Sequence, residues 1–392
     1  MKTLRAENGT TNLQFKLLSA IGIVIIVGGH CYHGALPTAY DWFPTYSFNL
    51  ALFVFISGYF YKDKYEDSIL KYIWKRFKRL IIPAYLWNIV YGLFIMLMSN
   101  FGYTIGGKVN AYNLFVMPFI DGETFKWNLG SWFVYPLFTV CVVNVLFRKL
   151  LDLIKLKNEY LILVAYLIVG IVGVQLSIEA KDNGGVHGLM LFAYRAMLFL
   201  PWMQFGKLYK EKLEKHDNLN SIAYFAILLS IQLILNTFFQ KLEYTPSKCS
   251  GFENGCIIPF VTAITGIAFW LRVSKLLTPV VKSWKFVNLI ADNTYSIMIH
   301  QMLGFMVVKW IFYAMSFIPN LFDDFNASKM RSSIWYYYLP NGQKLYAIVY
   351  LAAGIFLPIL IALICKWVSA PIKNKINKLL PKKAGSGLHL SE

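Results

Sequence analysis

Charge is scarce in this 392-residue chain. Only 15% of its residues are Asp, Glu, Lys or Arg, against about 25% in ordinary globular proteins, whereas 57% are hydrophobic and 17% aromatic. Polar stretches long enough for an appended soluble domain are missing too, because apolar runs recur from Leu17 to Trp367. That excludes a soluble domain on a single anchor, and any chemistry must sit within or between membrane helices. Cysteine is sparse: the five present form neither a CxxC pair nor a Cys/His ligand spacing, so neither a zinc site nor a redox motif is supported. No cleavable leader is visible, since the first apolar run simply continues as a span. Acids are the scarcest charges, 20 against 38 Lys and Arg, for a net charge of +18. In a soluble chain this excess would point to nucleic acid. In a polytopic one it marks cytoplasmic loops and anionic lipid, and DNA binding is discarded.

Ten apolar runs are present, at 17–36, 46–61, 80–98, 131–147, 160–176, 189–208, 222–239, 257–271, 287–312 and 346–367. They predict an all-α, polytopic integral membrane bundle of about ten transmembrane helices. A cytoplasmic segment 1–16 precedes the transmembrane domain 17–368, and a basic cytoplasmic tail 369–392 follows it, in which Ala384-Gly385-Ser386-Gly387 reads as a cloning remnant. Basic residues alternate between successive connections: 28 fall on one set and eight on the other, with Arg195 and Lys309 inside spans. By the positive-inside rule both termini are expected in the cytoplasm of a cell membrane protein.

Between the second and third spans, Ile69, Leu70, Ile73, Trp74, Phe77 and Ile81 recur at helical spacing among Lys71, Lys75, Arg76, Lys78 and Arg79. This predicts a basic amphipathic helix on the inner leaflet, either a plain lipid binder or a functional element. Residues 316–345 form a long outer segment with Asp323, Asp324, Trp335, Tyr336, Tyr337 and Tyr338. Rings and carboxylates together suit a sugar, while an interfacial aromatic belt is the alternative for the tyrosines. Cys249 and Cys256 share one short outer loop and either pair or stay free.

Ionisable groups inside spans are functional candidates by default. His30 lies 14 residues after Lys16, roughly 21 Å along the first helix, and its imidazole suits either a general base or a polar helix end. Arg195, in the outward half of the sixth span, is expected to face an interior cavity and an anion or carbonyl. His300 is a catalytic or a packing histidine, Asp292 and Asn293 are expected to cap the ninth helix, and Ser57 and Gly58 permit close helix contact.

The chain resembles the acyltransferase-3 family, polytopic bacterial enzymes that O-acylate surface carbohydrates. The resemblance rests on six pieces in order. They are Val27-Gly28-Gly29-His30, Phe53-Val54-Phe55-Ile56-Ser57-Gly58-Tyr59, Arg76-Phe77-Lys78-Arg79 before Pro83, Ser131-Trp132-Phe133, Phe199-Leu200-Pro201-Trp202-Met203-Gln204-Phe205-Gly206, and Asn293-Thr294-Tyr295-Ser296-Ile297-Met298-Ile299-His300. It implies that His30 is the catalytic histidine and that Arg76 and Arg79, with Lys75 and Lys78 beside them, meet a phosphate-rich acyl-CoA. The family's arginine eleven positions before the histidine is replaced here by Ser19, so Lys16 or Arg195 is expected to supply the charge.

The expected activity is transfer of an acyl group, acetyl or succinyl, from cytoplasmic acyl-CoA to a hydroxyl of a cell-surface or exported polysaccharide, without a metal. The expected partners are acyl-CoA, a carbohydrate acceptor, lipid, and other polysaccharide synthesis or export proteins. Trp335, Tyr336, Asp323 and Asp324 are the candidate acceptor contacts. A glycan transporter is the rival reading, and a membrane scaffold using the basic helix is another.

Overall fold

The computed structural model describes residues 12–31, 42–122, 125–281 and 284–379, with side chains to Pro371; His33 lies outside them. The helices that matter are α1 (Leu13–His30), α2 (Thr45–Tyr59), α3 (Ile69–Ser99), α4 (Val134–Leu153), α5 (Glu159–Glu179), α6 (Gly188–Leu208), α7 (Ser221–Phe238), α8 (Ile258–Val281), α9 (Lys285–Asp292), α10 (Thr294–Met315) and α11 (Ala347–Leu379). A 3₁₀ segment, Lys126–Phe133, leads into α4. The side chains of Asn12, Asn158 and Asn220 accept from backbone N–H groups at the starts of α1, α5 and α7, satisfying donors that lipid cannot.

Each of the ten apolar runs contains a helix, and among the described residues eight helices are long and apolar enough to cross a membrane. The two exceptions are interior. At 15 residues α2 is about 22 Å long, short of the roughly 30 Å hydrocarbon core. Its partner α6 has the length but carries Arg195, Gln204 and Lys207, which are buried within the bundle. The basic amphipathic stretch also differs from expectation. It is no separate helix but the opening turns of the 31-residue α3, because nothing before Pro83 breaks the helical pattern. Tyr295 Oη donates to Leu80 O at 3.0 Å, beside the carbonyl that Pro83 leaves without its helical donor.

Two cores flank α1 and α2. One unites α2, α4, α5, α6 and α8; the other unites α1, α3, α10, α11 and the 334–338 segment. Close approach holds the first together: a Cβ at Gly58 would lie 1.9 Å from Met203 O, and one at Gly206 2.0 Å from Phe55 O. The default structural role for Gly58 is what the geometry displays. By contrast α7 packs on α8 through Gln232, whose Oε1 accepts from Thr265 Oγ1 at 3.0 Å, and turns Ile222, Leu233, Ile234 and Phe238 outward.

Side-chain bonds sort the helix ends into two groups. At the basic end Lys16 pairs with Asp292 at 3.0 Å, Tyr59 donates to Glu214 at 2.9 Å, and Arg272 pairs with Asp217. Asp292 is therefore an ion-pair partner and not a cap, and Asn293 Oδ1 accepts from Lys366 at 3.1 Å. Deepest at this end is a network missed from the sequence. Arg148 forks onto Glu159 at 2.9 and 3.0 Å and reaches Glu66 at 2.8 Å, while Lys207 donates to Glu159 at 3.0 Å. At the other end lie His30, the residues 316–343, the connection that leads into α6 and the connection between α7 and α8.

Two stability outcomes follow from these contacts. Gly58→Ala drives a methyl into the Met203 carbonyl and is expected to cost about 1–3 kcal/mol, seen as a lowered thermal midpoint in detergent, with Gly206→Ala alike. Arg148→Met removes the guanidinium from the buried Glu159 carboxylate, leaving it Lys207 and Gln204, and is expected to cost about 3 kcal/mol, largely recovered in Arg148→Met/Glu159→Gln; an Arg148→Met midpoint equal to wild type would refute a stabilising network.

Candidate active site

His30 ends α1, where the backbone N–H of Cys31 closes the last turn onto Val27 and Gly28. Its ring Nδ1 lies 3.0 Å from Oε1 of Gln301, a fully buried residue of α10. The amide orientation is fixed from the other side, because Gln301 Nε2 donates to Met298 O at 3.1 Å. The amide oxygen thus faces the ring, which favours a proton on Nδ1, and in the neutral imidazole of that tautomer Nε2 is the acceptor nitrogen. Gly130 presses on this pair: a Cβ there would lie 2.1 Å from Met298 O and 3.0 Å from Gln301 Nε2.

Aromatic rings flank the imidazole. Tyr46 and Trp335 stand 6.0 and 6.1 Å from it, centroid to centroid. Tyr337 Oη donates to the His30 carbonyl at 2.5 Å, and burial keeps that phenol protonated by raising its pKa well above the ordinary value. A partly exposed imidazole with an oriented lone pair and aromatic walls can take a proton from an incoming hydroxyl.

The other candidates are spread over the bundle. Trp335 is exposed beside His30, but Tyr336 faces away, accepting from Asn326 N at 3.0 Å. Asp323 is exposed, and Asp324 accepts from Tyr338 Oη at 2.5 Å, which together with burial raises that phenol's pKa. These belong to one 316–343 cap, and only Trp335 and Tyr337 reach the imidazole surroundings. Lys16 is at the basic end with Asp292, some 21 Å along α1, and is not brought to His30. Ser19 is buried and returns its hydroxyl to Phe15 O at 2.9 Å.

Arg195 meets carbonyls, as its depth suggested. It donates to Asp121 O at 2.7 Å and to Ser247 O, with its guanidinium 5.2 Å from the Trp132 ring. These contacts clamp two connections around a cavity of about 820 Å³, lined among others by Asp121, Ser177, Lys181, His187, Ser247 and Phe252. The 126–133 segment joins the surroundings of Arg195 and His30, with Gly130 against Gln301 and Trp132 under Arg195. Cys249 and Cys256 are both free thiols.

His300 turns away from His30 and bonds Tyr91 Oη at 2.8 Å, edge-on to Trp87 at 4.2 Å, a buried packing contact between α3 and α10. Ser57 bonds back to Phe53 O at 3.0 Å. At the start of α3, Arg76 and Arg79 are half-buried and Lys75 and Lys78 exposed. The Arg76 guanidinium lies 5.2 Å from the Tyr72 ring and the Lys78 amine 5.3 Å from Trp74. This cluster is at the basic end, opposite His30.

Gln301 is the residue that sequence reasoning missed. A search for ionisable groups passes over an amide, yet an amide in an apolar run directly after His300 is itself a signal that a partner is being held.

No curated protein and no solved structure is matched by the chain. A sequence model of the acyltransferase domain matches residues 12–367, nearly the whole length and the span that contains His30, Gln301 and the α3 arginines. On that match the chain belongs to the acyltransferase-3 family and is a membrane acyltransferase.

Proposed function

We propose that the protein moves an acyl group, acetyl first and succinyl second, from acyl-CoA to a hydroxyl of a cell-surface or exported polysaccharide. The observation that carries this reading is the His30–Gln301 pair, an oriented base at one end of the bundle with a half-buried arginine pair at the other. Coenzyme A is an anionic cytoplasmic donor, so the basic end faces the cytoplasm of the cell membrane, with both termini there, and the His30 end faces out. Partner proteins of glycan synthesis or export would deliver the acceptor.

In this reading His30 Nε2 takes the proton as the sugar oxygen attacks the thioester carbonyl. The C–O bond forms, the C–S bond breaks, and the imidazolium returns the proton to the departing thiolate. Gln301 Oε1 holds Nδ1–H throughout and so steadies the cationic ring. Trp335 and Tyr46 supply ring faces on which the C–H surface of a sugar stacks, which suits a carbohydrate better than a charged acceptor. Arg195, bound to backbone carbonyls, supports this end of the bundle and need not touch the reacting carbonyl. A glycan transporter would need neither an oriented base nor a donor site.

The test is acyl transfer and CoA release by purified protein in liposomes. His30→Ala should lower transfer about 10²–10⁴-fold, as loss of a general base does. Gln301→Ala, which keeps the ring but frees its tautomer, should cost about 10–100-fold in kcat with the donor KM unchanged. Arg76→Ala and Arg79→Ala should each raise the acyl-CoA KM about 10-fold or more, as loss of a charged hydrogen bond does, and leave the pH profile in place. Full transfer by His30→Ala, or no turnover of acetyl-CoA or succinyl-CoA by wild type, would overturn the assignment.

A further inference from the structure

The amine of Lys309 is buried completely in the apolar interior of α10. Among the described residues no carboxylate pairs with it. Nζ donates to Ile334 O at 2.5 Å and lies 4.9 Å from the centroid of the Tyr337 ring. Both partners belong to the short extended segment that carries Trp335 to the His30 ring. An amine with so little compensation is expensive to place inside a membrane helix, so what it holds is the question.

Three attachments fix residues 334–338. Lys309 takes the Ile334 carbonyl, Tyr337 Oη donates to the His30 carbonyl, and Tyr350 Oη both accepts from Tyr338 N and donates to Tyr338 O, each at 3.1 Å. The rings of Phe305 and Tyr350 pack on Tyr337 at 5.8 and 5.1 Å. Of these attachments, the one nearest Trp335 in the chain is the lysine's. On α10, Gln301, Phe305 and Lys309 follow at four-residue steps, so all three fall along one side of the helix. The same helix side therefore sets the His30 tautomer at one point and the position of the Trp335 segment two turns later.

We infer that Lys309 is a positioning residue for the acceptor side of the reaction: it anchors residues 334–338 so that Trp335 stands as a wall beside the His30 ring. Its action runs through Ile334 and Tyr337 and not through contact with either substrate. The kinetic consequences rest on the acyl-transfer reading above; the anchoring itself does not.

Lys309→Met in the full chain keeps the volume and removes the donor. Hydrogen exchange of the 332–338 amides should speed up about 10-fold or more, while amides of α1 and α10 keep their protection. The acceptor KM should rise about 10-fold with the acyl-CoA KM within about twofold of wild type. The thermal midpoint should hold or rise, since an apolar side chain replaces a buried amine. In a cycle with Trp335→Ala the two effects on acceptor KM should fail to add, because both remove the same wall. Unchanged exchange in 332–338 would overturn the anchoring, and donor and acceptor KM rising together with a fallen midpoint would reduce Lys309 to a general stability role. Should Lys309→Met not fold, Lys309→Gln, with a shorter uncharged donor, answers the same exchange measurement. A wild type without transfer activity would sink the acyltransfer substrate assignment and leave the exchange result to decide this inference alone.

Discussion

Hydrocarbon offers a polar side chain no hydrogen-bond partner, and that constraint places the polar side chains that cross between the helices of this bundle. Arg195 finds carbonyls of two connections, Lys309 finds the Ile334 carbonyl, and Asn128 donates to Asn88 at 2.7 Å. Serines and threonines return their hydroxyls to the preceding turn, as Ser19, Ser57, Thr139 and Ser177 do. His30 follows the same rule: its ring Nδ1 is bonded by Gln301, and the ring is partly exposed.

The site follows from the packing of two cores around α1. Glycines at the α2–α6 crossing bring backbone against backbone, so the first core is rigid without large side chains there. On the other side, Gly304 approaches Ala353 O so closely that a Cβ would lie 2.5 Å from it, which draws α10 and α11 together beneath the 316–343 cap. His30 emerges between these halves, with Gln301 from one and Tyr46 from α2 of the other. The basic end and His30 are then separated by the length of α1.

How much of this is readable from the residues depends on whether the signal is local. Runs of apolar residues set all ten helices, and the 14-residue offset from Lys16 placed His30 at the far end of α1. An aromatic-rich, acidic outer segment singles out Trp335 in the sequence, and its ring stands beside His30. What stayed hidden depends on partners distant in sequence. Asp292 reads as a cap in sequence, but its partner Lys16 lies 276 positions away, and Arg148, Lys207 and Arg272 count only toward the basic set of connections, although each is buried against an acid. Gln301 was hidden differently, since its meaning resides in a bond to a residue 271 positions earlier. The separate amphipathic helix failed because a helical pattern alone carries no signal for where one helix ends and the next begins.

The outlying helix α7 has a further consequence for handling the protein. It touches the bundle mainly through α8, with Gln232 on Thr265 and Tyr224 Oη on Ala268 O at 3.1 Å as polar pins, while most of its surface is meant for acyl chains. Its attachment is therefore set by solvent on that surface more than by protein contact. Delipidation in a harsh short-chain detergent will loosen α7 before it disturbs α1 or α10, so a preparation can lose a helix from its rim while the imidazole and its amide partner remain intact.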